Sequence, residues 1–239
     1  MQLTLLGSGD AIGTPKIGCV CDQCNRAFRE GRQRLRTSLL VQSDGKSVLI
    51  DTSPDLRQQL LAIGAPPIDA VLWTHGHYDH FAGYSEFYRV QKLPPALAVP
   101  EVISYVRDQL HFMPIPGCPR KQYEPFSLFG VNYTFFTVNH PPIPSFGVCI
   151  EYKSAKIVFT GDTRRDIPEA SMDLIHGPDL LFADAIVPGG ISIGKHMNYE
   201  DACDLARVLG AEELRCVHMS HLIPWDMPDC GMDGEKFTF

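Results

Sequence analysis

Short apolar runs separated by glycine, proline and polar residues predict most of the strands of this chain. Residues 3–6 form one such run, ended by Gly7, and residues 70–73 form another after Pro66 and Pro67. Runs of this length between turn residues are typical of buried strands. Asp44 and Gly45 predict a hairpin turn. The remaining predicted strands are residues 38–43, 47–51, 96–99, 122–126, 129–136, 146–152, 156–160, 180–184 and 214–217.

Helices are predicted where a capping residue or a proline opens a segment and a glycine ends it. Asn198 and Gly210 bracket residues 199–209, and Pro54 and Gly64 bracket residues 54–63. The other predicted helices are residues 81–91, 101–110 and 169–176. Because strands, hairpins and helices alternate as two αβ halves, we predict an α/β fold, an αββα sandwich, in a single domain over residues 1–239.

A cluster of histidine and aspartate follows the predicted strand at residues 70–73. The segment reads Thr-His-Gly-His-Tyr-Asp-His and places His75, His77, Asp79 and His80 at the end of a buried strand. Buried polar groups need partners, and crowded imidazoles and carboxylates share a divalent metal readily. We expect His75 and His77 to approach one ion, and Asp79 and His80 a second. One structural metal is the alternative.

Two later residues stand where further ligands are needed. His140 follows an aromatic strand, and Asp162 follows the strand at residues 156–160. We predict that both are ligands and that the carboxylate of Asp162 bridges the two ions. Asp51 ends a hairpin strand and is predicted either to orient a ligand histidine or to cap the next helix.

A second candidate metal site lies in the sequence Cys19-Val-Cys21-Asp-Gln-Cys24. Three closely spaced thiolates are one ligand short of a tetrahedral zinc site, so a distant Cys or His should complete it. In a chain that we expect to be cytoplasmic, eight cysteines in this arrangement favour metal binding over disulfide bonds. Reduced surface thiols are the alternative.

Composition narrows the classes of partner. The net charge of −7 disfavours broad nucleic-acid binding, but it does not exclude a small anionic substrate. The start of the chain lacks a secretory signal, and no apolar run is long enough for a membrane span, so we expect a soluble, cytoplasmic protein.

The arginines of residues 26–36 are interpreted as a solvated face, with Arg34 or Arg36 best placed to reach a pocket. Residues 111–119, rich in proline, are predicted to be either a substrate-facing lid or a structural loop.

The order of these motifs resembles the metallo-β-lactamase superfamily over nearly the whole chain. The sequence carries the His-x-His-x-Asp-His motif, then His140, Asp162 and a C-terminal histidine, in the order usual for that superfamily. The resemblance implies a dinuclear hydrolase site but does not name the substrate, because the fold serves many hydrolases.

A narrower resemblance is to the phosphodiesterase family of phosphonate degradation, which opens cyclic ribose phosphates. It rests on the three cysteines at 19, 21 and 24, on His196, and on His218-x-x-His221. It implies that the cysteines and His221 hold a structural zinc. It also implies that His218 completes the dinuclear site and that His196 is the catalytic histidine.

The expected mechanism follows from this resemblance. His75, His77 and His140 would hold the first ion, and Asp79, His80 and His218 the second, with Asp162 between them. The two divalent ions (Zn, Mn or Fe) would share a hydroxide that attacks phosphorus. Asp79, as a ligand of the second ion, is therefore expected to be a catalytic residue. His196 would protonate the leaving oxygen or hold a phosphate oxygen.

The expected partner is a small phosphorylated substrate, such as a phosphoribosyl cyclic phosphate. One alternative is a nuclease that processes tRNA 3′ ends, although the chain lacks a long basic insertion. Another is a non-hydrolytic, metal-containing protein of cofactor biosynthesis or transport. A thioester hydrolase or lactonase is less favoured. The sequence leaves the oligomeric state open, a homodimer included.

Overall fold

The structure is a computed structural model and describes residues 1–239. Its thirteen strands form two mixed sheets. The first sheet contains β1 (Gln2–Gly7), β2 (Ser38–Ser43), β3 (Lys46–Ile50), β4 (Ala70–Leu72), β5 (Ala96–Ala98), β6 (Gly117–Pro119) and β13 (Glu235–Thr238), in the order β13-β1-β2-β3-β4-β5-β6. The strands from β3 to β6 run parallel, and those from β13 to β3 run antiparallel.

The second sheet repeats this mixture of pairings. It contains β7 (Phe126–Leu128), β8 (Val131–Val138), β9 (Ser145–Tyr152), β10 (Ala155–Phe159), β11 (Leu180–Asp184) and β12 (Glu213–Val217), in the order β12-β11-β10-β9-β8-β7. The strands β10, β11 and β12 are parallel, while β7 to β10 are antiparallel.

Six α-helices and one 3₁₀-helix accompany the sheets. They are α1 (Asp22–Glu30), α2 (Leu56–Ala62), α3 (Tyr78–Phe81), the 3₁₀-helix (Ala82–Phe87), α4 (Pro100–Gln109), α5 (Glu169–Ile175) and α6 (Tyr199–Leu209). The predicted bounds of α6 are confirmed: Asn198 accepts a hydrogen bond from the Asp201 amide, and Gly210 ends the helix with a left-handed φ of 67°. None of the helices combines the length and apolar character that a membrane span requires.

The side chains of the second sheet alternate between two cores. On β10, Ile157 and Phe159 enter a cluster of 39 buried residues that fills the space between the sheets. Val158, pointing the opposite way, enters a second cluster of 17 residues that includes Ile175 of α5 and Leu205 of α6. Strand residues face opposite sides in turn, so one sheet packs against both the other sheet and a helical layer. The αββα sandwich is confirmed.

Two secondary-structure predictions were wrong in part, and strands β6 and β13 were not predicted. Residues 122–125 lie outside any strand, with a turn at residues 122–123, because Tyr123 has a left-handed φ of 63° and donates its amide to the Phe135 carbonyl oxygen. Of the helix predicted over residues 81–91, Phe81 ends α3, residues 82–87 form the 3₁₀-helix, and residues 88–91 form a turn and a bend. Strand β13 was missed: its pattern offers a single apolar side chain, Phe237, between polar residues.

Two arginines depart from the interpretation of the run as a solvated face, whereas Arg26, Arg29 and Arg32 are exposed or partly exposed, as interpreted. Arg34 is 4% exposed and donates hydrogen bonds to the carbonyl oxygens of Ile223 and Pro224, at 2.8 and 3.1 Å. Its guanidinium also lies 4.3 Å from the ring centre of Trp225. Arg36 pairs with Asp55 at 2.9 Å. Both guanidinium groups therefore have partners within the protein.

Candidate metal centre

The seven predicted ligands of the dinuclear site converge where strand ends of both sheets meet. The two sheets touch there through the backbone pairing of His75 with Ser145. The loop after β4 and helix α3 contribute four of the residues, and the segments after β8, β10 and β12 contribute one each. All except the half-buried His77 are buried. The seven are His75, His77, Asp79, His80, His140, Asp162 and His218.

Three imidazoles and a carboxylate form the first donor set. The Nδ1 atom of His77 lies 3.2 Å from Nε2 of His75 and 3.1 Å from Nε2 of His140. Asp162 Oδ2 lies 3.5 Å from the His75 nitrogen and 3.8 Å from the His140 nitrogen. Metal–nitrogen bonds of about 2.0–2.1 Å in a tetrahedron separate ligand nitrogens by about 3.3–3.4 Å. The set therefore fits one cation.

The second donor set shares Asp162 with the first. Nε2 of His80 lies 3.2 Å from Asp79 Oδ2 and 3.4 Å from Asp162 Oδ1. Nε2 of His218 lies 3.4 Å from each of the two carboxylates. Nε2 of His80 is buried without a hydrogen-bond partner in the protein, and a cation would satisfy it. Asp162 is the one residue common to both donor sets, and its bridging of two ions stays a prediction.

Hydrogen bonds outside the donor sets orient three of the imidazoles. Nδ1 of His80 lies 2.7 Å from Asp51 Oδ2, and Nδ1 of His140 lies 2.9 Å from the Lys195 carbonyl oxygen. Both oxygens can only accept, so each Nδ1 donates its proton outward and each Nε2 is the atom turned inward toward the other candidate ligands. Nδ1 of His75 lies 2.9 Å from the hydroxyl of Thr74, which itself donates to Asp51. Asp51 thus orients a histidine, as one of its two predicted roles required.

The charges of the site suit cation binding. Burial lowers the pKa of His75 well below its ordinary value and lowers that of His77 to about 4, so both imidazoles are neutral at neutral pH. Burial alone would raise the pKa of Asp162, but the imidazoles of His218 and His80 outweigh it and hold that pKa well below its usual range. Although burial alone would lower the pKa of His80 and of His218, the carboxylates led by Asp162 raise both pKa values well above the ordinary value. Metals bind neutral imidazoles and ionised carboxylates, so a cation would displace a proton from each of these two histidines.

His196 lies against both donor sets. Its ring stacks on that of His218, with centroids 5.0 Å apart, and lies 4.7 Å from that of His140. Its Nδ1 atom contacts Asp184 Oδ2 at 2.8 Å. Although burial alone would lower the pKa of His196, the carboxylate of Asp184 raises it overall. His196 therefore lies beside both donor sets with Nδ1 held by Asp184, and its catalytic role stays a prediction.

Sequence reasoning missed Asp184. Its Oδ2 also accepts the Thr163 amide at 2.9 Å, and its buried Oδ1 lies 3.7 Å from Nδ1 of His218. One carboxylate thus faces the Nδ1 atoms of both His196 and His218. The signal was present, since Asp184 ends β11 just as Asp162 follows the end of β10.

The backbone is unusual at two of these positions. Asp51 and His218 have left-handed φ values of 59° and 55°, a region that residues other than glycine enter rarely. Strained backbone of this kind clusters at functional sites, where surrounding structure imposes it. At Asp51 the imposing contacts are the hydrogen bonds to His80 and Thr74. Gly161, directly before Asp162, has a φ of 60° that glycine adopts without strain.

The cysteine cluster gathers with the distant histidine that the resemblance indicated. Nδ1 of His221 lies 3.6 Å from Cys19 Sγ and 3.4 Å from Cys21 Sγ, and the buried Cys24 completes the group. With Zn–S bonds of about 2.3 Å and Zn–N bonds of about 2.0–2.1 Å, a tetrahedral site separates these atoms by roughly 3.5 Å. The four residues fit a zinc ion that would join the loop after β1 to the loop after β12.

The proline-rich segment at residues 111–119 packs as a structural loop, which was one of its two predicted roles. Met113 and Ile115 are buried in the core between the sheets, and β6 occupies the end of the segment. His111 and Phe112 are exposed, and His111 belongs to neither donor set.

Comparison with known proteins decides the family. A sequence profile of the β-lactamase superfamily domain matches residues 46–219. The chain belongs to the metallo-β-lactamase superfamily. Among solved structures, a diphosphatase of the PhnP family is 31% identical and superposes with a TM-score of 0.87. The superposition covers 100% of this chain and 97% of that protein. This superfamily hydrolase fold therefore extends over the whole chain.

Two further relatives carry different names. An octanoyltransferase of Porphyromonas gingivalis is 33% identical over 94% of this chain, but the chain spans only 47% of that protein. Coenzyme PQQ synthesis protein B of Methylorubrum extorquens is 28% identical over 90% of this chain and 71% of its own length. The zinc-bound structure of PqqB from Methylobacterium extorquens superposes on the whole chain with a TM-score of 0.86 at 23% identity, which shows a shared fold.

Proposed function

We propose that this superfamily member is a phosphodiesterase that uses two divalent ions to hydrolyse a small phosphodiester, such as a phosphoribosyl cyclic phosphate or a diphosphate diester. The observation that carries the proposal is the position of His196. It lies against both donor sets and is held by Asp184, a carboxylate that belongs to neither set. A hydrolase that cleaves an ester with two cations still needs a proton for the leaving oxygen, and His196 is placed to supply it.

The two donor sets define what the residues contribute. Two divalent ions bound there would activate a water molecule and neutralise charge on the phosphoryl oxygens. Asp162 would contribute oxygens to both ions, and Asp51 keeps Nε2 of His80 directed inward. Asp184 holds Nδ1 of His196, so Nε2 on the other side of the ring remains free to donate a proton to the leaving group.

The relatives support phosphoryl chemistry over acyl chemistry. The PhnP-family protein that matches this chain from end to end at 31% identity is a diphosphatase. This likeness extends the proposed substrates from cyclic esters to diphosphate diesters. The octanoyltransferase supports no equivalent proposal, because about half of that protein lies outside the match.

Hydrolysis of bis(p-nitrophenyl) phosphate by the Zn- or Mn-loaded protein tests the proposal. We expect turnover of this diester and of ADP-ribose, and much slower turnover of p-nitrophenyl phosphate. His140→Ala should abolish activity, whereas His111→Ala, which changes an exposed histidine outside both sets, should keep it. His196→Ala should lower kcat by roughly 10²- to 10⁴-fold without changing the metal content.

One competing function has support of its own. Likeness to coenzyme PQQ synthesis protein B favours a metal-containing protein that holds a ligand without hydrolysing it. If the metal-loaded protein left every phosphodiester intact, and His75→Ala changed only its stability, this function would replace the phosphodiesterase. A gel shift with tRNA separates the phosphodiesterase and the ligand-holding protein from a tRNA-processing nuclease. Because the net charge of −7 disfavours binding to a phosphate backbone, we expect no shift.

A further inference from the structure

A small pocket opens beside the metal centre and has no part in the steps above. Its volume is about 120 Å³, and its lining residues are Gly76, Glu101, Val102, Tyr105, Ile143 and Pro144. Gly76 stands between two candidate ligands, and residues 143–144 follow His140 by a few positions. Neighbouring Cα atoms are about 3.8 Å apart, so the pocket wall begins within one residue of the donor sets.

The pocket is built around contact between an aromatic ring and a glycine. A Cβ atom at position 76 would lie 2.6 Å from Cδ1 and 3.0 Å from Cε1 of Tyr105. The φ of Gly76 is not left-handed, so the need for glycine here is space for the ring. Phe81 holds the ring from another side, edge to face, with centroids 6.2 Å apart. Tyr105 is nevertheless 46% exposed, which leaves ring surface free for a ligand.

The other walls define the chemistry of the occupant. Val102, Ile143 and Pro144 are apolar, so the pocket favours an uncharged, flat group over a phosphate or a sugar. Glu101 is exposed at the edge and adds one carboxylate, which accepts hydrogen bonds and cannot donate them. An aromatic face beside a single acceptor matches a nucleobase that carries an amino group.

We propose that this pocket binds the amino-bearing nucleobase of the substrate, so that the substrate class is a nucleotide diester or a nucleoside diphosphate derivative. The base stacks on Tyr105, its exocyclic amine donates to Glu101, and the phosphoryl group reaches the donor sets on the other side of Gly76. This inference rests on the proposed phosphodiesterase, whose substrate it specifies.

Binding of AMP and ribose 5-phosphate to the zinc-loaded protein tests the stacking. These ligands share the phosphate and the sugar and differ in the base. Isothermal titration calorimetry should give a Kd for AMP lower than that for ribose 5-phosphate by roughly 5- to 100-fold, the range expected for one stacked base. Tyr105→Phe should preserve this ratio, and Tyr105→Ala should bring it close to one. Tyr88→Ala is the matched control, because Tyr88 is 47% exposed and does not line the pocket.

A second pair of ligands tests the carboxylate. CMP presents an amine where UMP presents a carbonyl oxygen, so CMP should bind several-fold more tightly. Glu101→Gln should remove this difference, because an amide can both donate and accept. Equal Kd values for AMP and ribose 5-phosphate, or no measurable AMP binding at millimolar concentration, would overturn the inference. Since no turnover is involved, absence of diester hydrolysis would overturn the proposed function separately.

Discussion

Asp51 holds His80 through a contact of 2.7 Å between Oδ2 and Nδ1, and both side chains are almost completely buried. The same carboxylate accepts the amide and the hydroxyl of Thr74, at 2.8 and 2.7 Å. Because the carboxylate can only accept, it fixes a proton on Nδ1 of His80 and leaves Nε2 as the atom that a cation would bind. Asp51 therefore acts on the metal centre without contributing a ligand.

Asp51→Asn should weaken metal binding while the fold persists. The amide keeps one accepting oxygen but puts a donor opposite His80 Nδ1 or Thr74, so the imidazole loses its fixed orientation. We expect a 10- to 100-fold loss of affinity for the second cation, the usual effect of changing a group that orients a ligand. Competition with a chromophoric chelator measures it. Asp44→Asn is the matched control, because Asp44 also has a left-handed φ but is exposed in the hairpin turn.

Asp184 and His196 should behave as one unit in catalysis. If Asp184 acts by orienting His196, Asp184→Ala and His196→Ala should each lower kcat, and the double variant should be little worse than His196→Ala alone. Kinetics of the three variants on bis(p-nitrophenyl) phosphate measure this coupling. Multiplied losses of kcat in the double variant would show that Asp184 acts separately, through His218 or through the metal content.

The cysteine site should stabilise the protein and have little direct effect on catalysis. Cys24→Ser should remove one zinc ion per chain and lower the thermal midpoint by roughly 5–15 °C, as expected for a loss of about 2–4 kcal/mol in a chain of this size. Zinc analysis and thermal unfolding measure the two effects. Cys118→Ser should change neither, since Cys118 is a partly buried cysteine outside the cluster.

Asp233 should make stability depend on pH between about 4 and 6. Its carboxylate accepts the Ser8 amide at 2.9 Å and the Leu35 amide at 2.7 Å, yet burial raises its pKa from 3.8 to about 6. In this window the folded state keeps a proton that the unfolded state has released, so the stabilising contribution present at low pH is lost as pH rises. One pKa unit corresponds to about 1.4 kcal/mol, and partial exposure keeps the total to roughly 1–2 kcal/mol.

Asp233→Asn cannot titrate and isolates this contribution. Between pH 4 and pH 6, the free energy of unfolding of the unsubstituted protein should fall relative to that of the variant. Urea unfolding of both proteins at several pH values measures the difference. A constant difference across the range would contradict the assignment.

The strand-end pattern explains why much of the site was predictable. Metal ligands in an αββα fold lie where strands end, so His75, His140 and Asp162 were found from the apolar runs before them. The same rule applied to Asp184, but an acid after a strand also suits a simple cap, and only the contact with His196 separates these roles.

Other features depend on tertiary contacts that leave no local pattern. Arg34 is embedded among the carbonyl groups of a loop that lies far away in the chain. Strand β13 is short and mostly polar, and it forms because β1 offers a free edge. The closeness of Tyr105 to Gly76 depends on how helix α4 packs against the loop after β4. No periodicity in the sequence encodes these three relationships.

The metal content of the purified chain tests the central claim most directly. After reconstitution with zinc and gel filtration, mass spectrometry of the metal should find about three ions per chain, two for the histidine–aspartate sets and one for the cysteine site. Asp162 belongs to both sets, so folded Asp162→Ala should retain about one ion. No more than one zinc ion in the unsubstituted protein, or equal content in the variant, would contradict a dinuclear centre at these residues.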